Sequence, residues 1–178
     1  EEGWNPLARK LHTLAVPVVC ALNGMAAGAG ASLALGCDLV IAARSASFIQ
    51  AFAKIGLVPD AGGTWLLPRL VGRANALALA MTGDKLTAEA AQQMGLIWKC
   101  VDDAAFVDDV SATAARLAAM PVKALVATRA VIDASMQLGL ADALSLEGEW
   151  QSRLSASRDY LEGVAAFMAK RPAHFSDR

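Results

Sequence analysis

The residue that most suggests chemistry is Asp60, a lone carboxylate in the stretch "IGLVPDAGGTWLLPRLVG". The acidic residues nearest to it along the chain are Asp38 and Asp84. Its apolar neighbours are expected to leave the carboxylate poorly hydrated, which makes it a stronger base. These neighbours are Phe52, Val58, Trp65 and Leu66. The alternative is a structural role, because aspartate is common in turns just before glycine.

A second stretch, "NGMAAGAGASLALGCD", places small residues between a predicted strand and a predicted helix. The spacing of Gly24, Gly28 and Gly30 is not a dinucleotide fingerprint, and no phosphate-loop lysine follows it. The first amides of such a helix are unpaired and lie at the positive end of its dipole, which favours an oxyanion. Close packing of the helix on the strand explains the same small residues without a ligand.

The elements that must position these residues are strands in the first half and helices in the second. Buried strands are predicted at 16–24 and 37–44, and shorter ones at 46–50 and 96–101. Short helices are predicted at 64–71, 73–82 and 87–95, with Thr64 and Thr87 as N-caps and Pro68 shortening or bending the first. From residue 104 the pattern is helical: 104–119, 122–135, 140–157 and 159–170. We therefore predict one α/β domain whose C-terminal helices serve packing or assembly.

Composition excludes several classes of function. The chain has 178 residues, 56% of them hydrophobic, and a net charge of −1, so neither nucleic acid nor a membrane surface is an expected partner. The uncharged stretch 14–37 is long enough for a membrane span, but Pro17 and several glycines interrupt it. Cys20, Cys37 and Cys100 show no metal or disulfide spacing, so no metal and a reducing, cytoplasmic location are expected.

Four motifs in order resemble the crotonase (enoyl-CoA hydratase/isomerase) family over nearly the whole chain. They are "PVVCALNGMAAGAGASLALGCDLVIAA", "LVPDAGGTWLLPRLVGR", "LTAEAAQQMGL" and "FMAKRPAHF". The resemblance implies an α/β crotonase-like ββα spiral, with residues 1–103 forming the C-terminal part of the spiral core. Residues 104–178 would form a helical region for trimerisation, near the CoA. The abrupt start "EEGWNPLARKLHTL" suggests that the N-terminal third of the family fold is absent.

The resemblance also implies a catalytic apparatus for acyl-CoA thioesters. The thioester oxygen would be held between two backbone amides, one of them at Ala29 with Gly28 and Gly30 beside it. The other lies in the part of the family fold that is expected to be absent. CoA would be part of the substrate, no separate cofactor would be needed, and the assembly would be a homotrimer or a hexamer.

The acidic residues favour isomerisation over hydration. The two glutamates of the family's hydratases fall at Ser32 and Phe52, and neither residue can act as an acid or base. Asp60 matches the position where the family's isomerases carry a carboxylate. Within the family, the resemblance is greatest to the subgroup that converts ring-1,2-epoxyphenylacetyl-CoA to the oxepin in phenylacetate degradation. A general Δ3,Δ2-enoyl-CoA isomerase would use the same aspartate, and an enoyl-CoA hydratase-like protein is a further alternative within the family. A non-catalytic acyl-CoA-binding subunit is the alternative from another class.

Further candidate residues carry weaker signals. Phe52 and Trp65 either line an acyl pocket or fill core, and Phe48 is expected in the core. By resemblance, Phe167 flanks the acyl pocket and Lys170 approaches the CoA phosphates. A basic helix C-terminus also explains Lys170, since it complements the helix dipole.

Two features bear on these assignments. Pro172 directly follows Arg171, which departs from the family's terminal pattern. The backbone of the last residues is therefore not expected to follow the family's path necessarily. Ser32 would serve as a hydrolase nucleophile only with a histidine, and neither His12 nor His174 matches a catalytic position of the family.

Overall fold

The structure, a computed structural model, describes residues 3–177. Their contacts divide the chain into two compact units. The first contains the residues up to Leu14 together with Val18–Ala112, and the second contains Ala15–Pro17 and the residues from Thr113 onward. The boundary predicted from the sequence, between residues 103 and 104, stays a prediction.

The first unit contains two small sheets. The strands are β1 (Val19–Leu22), β2 (Met25–Ala27), β3 (Leu39–Ala43), β4 (Ser47–Ile49), β5 (Leu86–Thr87) and β6 (Lys99–Val101). One sheet has the order β1-β3-β6 and is parallel throughout. The other has the order β2-β4-β5, with β2 and β4 parallel and β5 antiparallel to β4.

Helices connect and cover the strands, as parallel pairing requires. They are α1 (Asn5–His12), α2 (Ala29–Leu35), α3 (Gly63–Thr82), α4 (Ala88–Gln93), α5 (Phe106–Ala118), α6 (Val122–Ser135), α7 (Leu140–Ser155) and α8 (Arg158–Met168). Two short 3-10 turns lie at Ala51–Ile55 and Asp103–Ala105. The second unit is built from α6, α7, α8 and the end of α5.

The core of the first unit combines branched side chains with many alanines. Ile41 and Leu67 are almost fully buried, and Phe48 is 2% exposed, which confirms its predicted core role. Ala31 on α2 and Ala88 on α4 are completely buried, because their small side chains allow the helices to approach the sheets closely.

Most predicted elements are confirmed. The segments 37–44, 46–50 and 96–101 contain β3, β4 and β6, and the four C-terminal helices lie where the pattern placed them. The prediction of one buried strand over 16–24 is wrong in two respects. The strand begins only at Val19, and within it Ala21 is exposed and the other three residues are half-buried. β2 and β5 were not predicted, since strands of two or three residues depend on their pairing partners.

The capping predictions have different outcomes. Thr87 caps α4, with its hydroxyl accepting a hydrogen bond from the Ala90 amide at 3.2 Å. The prediction for Thr64 is wrong, because the N-cap of α3 is Gly62, two residues earlier, and Thr64 already lies inside the helix. Pro68 lies inside α3 without ending it, and the helix instead kinks at Gly72, whose φ of 73° and ψ of 163° suit glycine.

No single helix among residues 3–177 is long and apolar enough to cross a membrane. One bent pair, Asp103–Ala118 with Val122–Ser135, meets the criteria of length and composition jointly.

Candidate active site

The loop that carries Asp60 is a tight turn with unusual backbone angles. The Asp60 carbonyl accepts a hydrogen bond from the Gly63 amide at 2.8 Å, which closes the turn. Two residues lie between them in the turn: Ala61 has a φ of 47° and Gly62 has a φ of 88°. For alanine this left-handed conformation costs roughly 1–2 kcal/mol. Ala61 is nevertheless 2% exposed, so packing holds it in place, and such strain is concentrated at functional sites.

The turn between β2 and α2 is the second part of the site. Gly28 has a φ of 53° and a ψ of −126°, and its amide donates to the Ile49 carbonyl at 2.9 Å. A Cβ at position 28 would lie 3.7 Å from the Phe52 ring. Within residues 3–177, no acceptor is hydrogen-bonded to the amides of Ala29 and Gly30. These two N–H groups begin α2 and are free to bind an oxygen.

Helix α2 packs against both turns. Its N-terminus lies beside Phe52, and Ser32, one turn further, lies directly beneath the Asp60 loop. A Cβ on Gly63 would be only 2.6 Å from the Ser32 hydroxyl oxygen and 3.1 Å from the Pro59 Cβ. Glycine at position 63 therefore permits the close approach of the Asp60 loop to α2. The candidate oxyanion amides and the candidate base are thus positioned by one helix.

The expected dry environment of Asp60 is wrong for this chain by itself. Asp60 is exposed, and Val58 is 76% exposed. Among the residues expected to surround the carboxylate, only Phe52 is buried, at 6%. The reason is that the segment before Asp60 projects from the core, with Ile55 72% exposed as well.

Trp65, on the first turn of α3, is partly exposed and has two aromatic or cationic neighbours. The Arg69 guanidinium lies over the indole at 4.2 Å from its centroid, and the Arg69 side chain also donates to the Trp65 carbonyl. The His12 ring approaches the indole edge-on at 6.4 Å. With 39% exposure, Trp65 remains available for contact with a ligand.

The geometry does not support Ser32 as a nucleophile. Its side chain is completely buried, and its hydroxyl has no hydrogen-bond partner. A hydrolase serine needs a histidine within hydrogen-bond distance and an accessible oxygen. His12 instead packs against Trp65.

In the second unit, the two candidate residues lie at the end of α8. Phe167 is 82% exposed and lines a groove of about 490 Å³ together with Tyr160, Val164 and Phe175. Lys170 is exposed and has a φ of 51°, and it lies two residues beyond Met168, the last residue of α8. A long cation at a helix end is free to reach a phosphate group.

The last residues fold back along α8. Arg171 makes a bidentate ion pair with Glu162, and the His174 amide donates to the same carboxylate. These contacts lower the pKa of Glu162 to about 2, with the Arg171 hydrogen bond as the main cause. The buried Asp159 accepts hydrogen bonds from the amides of Ser176 and Asp177. The displaced Pro172 therefore does not prevent an ordered path.

The sequence did not indicate which residues support the site. Gly63 and Ala61 are needed for the loop geometry, but only the adjacent "AGG" hinted at an unusual turn. The roles of Glu162 and Asp159 were not predicted either, because their partners lie 9 to 18 residues away. Among residues 3–177, no group of three His, Cys, Asp or Glu side chains is placed to hold a metal ion.

Comparisons with known proteins agree with the resemblance seen in the motifs. The family model for enoyl-CoA hydratase/isomerase matches residues 1–178. The chain is 49% identical to the 1,2-epoxyphenylacetyl-CoA isomerase of Escherichia coli over 178 residues, which is 100% of this chain and 68% of that protein. It is also 49% identical to a protein of Rhodobacter capsulatus named a probable enoyl-CoA hydratase, covering 99% of this chain and 69% of the other.

The fold is shared with solved structures. The structure of an enoyl-CoA hydratase from a Polaromonas species has a TM-score of 0.93 and 34% sequence identity. The match covers 98% of this chain and 68% of that one. The predicted crotonase-like α/β fold is therefore confirmed.

Proposed function

The chain belongs to the enoyl-CoA hydratase/isomerase family of enzymes that act on CoA thioesters, and within that family we propose that it is an acyl-CoA isomerase. The proposed substrate is ring-1,2-epoxyphenylacetyl-CoA, converted to the oxepin-CoA. The name of the Escherichia coli relative supports this substrate. The observation that carries the proposal is the approach of the Asp60 loop to α2, where Gly63 lies against Ser32, three residues after Ala29, whose amide has no hydrogen-bond acceptor within residues 3–177.

In the proposed mechanism, negative charge develops on the thioester oxygen while a proton is transferred from one carbon atom of the acyl group to another. The Ala29 amide donates a hydrogen bond to that oxygen, and one such donor typically contributes about 2.7–4 kcal/mol to stabilising the transition state. Asp60 takes a proton from one carbon and returns it to another, which in a 3-enoyl-CoA moves the double bond from the 3,4 to the 2,3 position. In the ring epoxide, the same stabilisation of the enolate would help the carbon–carbon bond shared by the two rings to break as the ring expands to the oxepin. The exposed carboxylate would lose its water when the acyl group covers it, which strengthens the base.

The residues at the two hydratase positions support isomerisation over hydration. Phe52 is buried against Gly28, and Ser32 is buried beneath Gly63. Neither can activate a water molecule, because one has no polar atom and the other has a hydroxyl that solvent does not reach. Asp60 would therefore be the carboxylate that acts on the substrate.

The binding residues complete the proposal. We assign Gly28 and Gly30 to the close approach of the thioester, and Phe52 and Trp65 to the acyl pocket. Phe167 is assigned to the acyl group and Lys170 to the CoA phosphates. A general Δ3,Δ2-enoyl-CoA isomerase would use the same base, so the choice of substrate is decided by experiment.

The test compares the full-length wild type with Asp60→Asn on ring-epoxide phenylacetyl-CoA and on 3-enoyl-CoA in D2O, with product and deuterium uptake followed by mass spectrometry. Loss of the base is expected to reduce turnover by about 10²- to 10⁴-fold while CoA-thioester binding is kept. Asp84→Asn, an exposed aspartate on another loop, is the matched control and should retain activity. Equal turnover of Asp60→Asn and wild type would return Asp60 to a structural role and refute the mechanism.

A further inference from the structure

The Phe52 ring lies against the oxyanion turn, which consists of Gly28 and Ala29. Phe52 is the second residue of the 3-10 turn at Ala51–Ile55 and is 6% exposed. Three of its ring atoms, Cζ, Cε1 and Cε2, lie 3.7, 3.9 and 4.0 Å from the point that a Cβ on Gly28 would occupy. A ring that is so deeply buried offers little surface to an acyl group, so its effect on the site is exerted through Gly28.

Gly28 sets the direction of the Ala29 amide, because the Gly28 carbonyl and the Ala29 N–H belong to one peptide plane. The Gly28 carbonyl accepts a hydrogen bond from the Ser32 amide at 3.1 Å, and the Gly28 amide donates to the Ile49 carbonyl at 2.9 Å. Since the peptide bond is planar and trans, the Ala29 N–H points in the direction opposite to the Gly28 carbonyl. The position of Gly28 therefore determines where the N–H group assigned to the thioester oxygen is aimed.

Gly28 depends on its neighbours for a fixed conformation, because glycine has wide backbone freedom. Its φ of 53° and ψ of −126° lie outside the regions that other residues favour. The hydrogen bonds to Ile49 and Ser32 hold the amide and carbonyl ends of the residue. The Phe52 ring covers the side of the Gly28 Cα from which a side chain would project. A displacement of Gly28 towards that side is therefore blocked by the ring.

The backbone of Phe52 has a separate role at the site. Its carbonyl accepts a hydrogen bond from the Leu57 amide at 3.0 Å, which closes the turn before the segment that leads to Asp60. This hydrogen bond does not require the aromatic ring. A change of the side chain at position 52 is therefore expected to affect the oxyanion turn while the anchor of the Asp60 segment is kept.

We propose that Phe52 is a positioning residue, whose ring aims the Ala29 amide through its contact with Gly28. The inference rests on the proposed function, since it concerns the amide that is assigned there to the thioester oxygen. An oxyanion donor is effective only when it is aimed at the position where the charge develops. Loss of the ring should therefore reduce turnover and the polarisation of the thioester carbonyl more than the affinity for the CoA thioester.

The test measures the carbonyl of a bound ligand directly. Phenylacetyl-CoA labelled with ¹³C at the thioester carbonyl is bound to the full-length protein, and isotope-edited infrared spectroscopy records the carbonyl stretching frequency. Hydrogen bonds to the oxygen lower this frequency, because they weaken the C=O bond. In Phe52→Leu, the frequency should move back towards that of the free ligand. On the ring epoxide, kcat should fall about tenfold or more, while KM changes by less than about twofold.

Two further variants separate positioning from stability. Phe52→Met keeps a long, flexible side chain that can still reach Gly28, so it should recover part of the frequency shift and part of kcat. Phe48→Leu removes the same atoms from another buried phenylalanine, which lies in β4 and is 2% exposed. This control should lower the melting temperature as Phe52→Leu does, but leave the carbonyl frequency and kcat at their wild-type values.

The outcomes distinguish the inference from the proposed function. Equal carbonyl frequencies in Phe52→Leu and wild type, or an equal loss of kcat in Phe48→Leu, would overturn the positioning role. Failure of the proposed function has another signature: Asp60→Asn would keep its turnover, while the carbonyl frequency would still respond to Phe52→Leu.

Discussion

The geometry of the Asp60 loop depends on side chains that are small or absent. Gly63 leaves room for the Ser32 hydroxyl, and Ala61 accepts a left-handed backbone because it is buried. The Ser32 hydroxyl itself has no partner, although a buried hydroxyl without a hydrogen bond costs free energy. The position of the proposed base is thus determined by steric limits at its neighbours.

The contact between Gly63 and Ser32 predicts the effect of a single methyl group. Gly63→Ala places a Cβ too close to the Ser32 oxygen and should lower the free energy of unfolding by about 1–3 kcal/mol. Adding Ser32→Ala should recover much of that loss, because the nearest clashing atom is removed. Urea unfolding of the two single variants and the double variant measures the coupling.

The matched control is Gly148→Ala, in the middle of α7, where an added Cβ meets no atom within 4 Å. This change should stabilise the protein by up to about 1 kcal/mol, since alanine favours helix. Additive effects of Gly63→Ala and Ser32→Ala would contradict the predicted clash.

At the scale of elements, the C-terminal segment is fixed to α8 by charges and amides. The Glu162 carboxylate accepts hydrogen bonds from the Arg171 guanidinium and the His174 amide, and the Phe175 ring lies near Gly163. This arrangement sets where the residues after Lys170 lie. The attachment of this segment to α8 therefore depends on whether the Glu162 carboxylate is ionised.

That ionisation predicts a pH dependence. The pKa of Glu162 is lowered from 4.5 to about 2, so its stabilising contribution is present above about 4.5 and is lost as the pH falls through about 2. Glu162→Gln should therefore lower the melting temperature at pH 7, by a few degrees at most for an ion pair at the surface. The difference from wild type should narrow between pH 4.5 and pH 2.

Thermal unfolding followed by circular dichroism across this pH range makes the measurement. Glu149→Gln is the control, because the Glu149–Arg153 pair is long at 3.8 Å and well exposed, and its loss should change little. A Glu162→Gln effect that is equal at all pH values would show that the carboxylate charge is not the cause.

At the scale of the whole molecule, the second unit exposes many large apolar side chains. Leu140 is 77% exposed, and on α8 Leu161, Phe167 and Met168 are 63%, 82% and 76% exposed. A large exposed apolar patch of this kind usually marks a site of contact with another molecule. We propose that it supports the homotrimer or hexamer that the family resemblance implies.

This proposal predicts a change of oligomeric state. The double change Leu161→Lys and Met168→Lys should shift the full-length protein towards monomer in light scattering coupled to gel filtration, because charge opposes apolar burial. Ser152→Lys, at an exposed position of α7, should leave the mass unchanged. A monomeric wild type, or an unchanged mass in the double variant, would contradict the assembly.

The sequence by itself determined the family, the longer elements and the candidate base. β-branched runs and helical spacing depend on neighbours within a few residues, so β3 and α6 to α8 were readable from the chain. The lone Asp60 was readable in the same way, because its motif is local.

Only the tertiary structure decided the features that join distant residues. The contact of Ser32 with Gly63 joins segments about 30 residues apart in sequence, and the exposure of Asp60 depends on how its loop lies on the folded core. The start of α3 at Gly63 rather than Thr64 follows from the left-handed turn before it. Burial and steric fit are properties of the folded chain, since local sequence does not specify which atoms meet across the core.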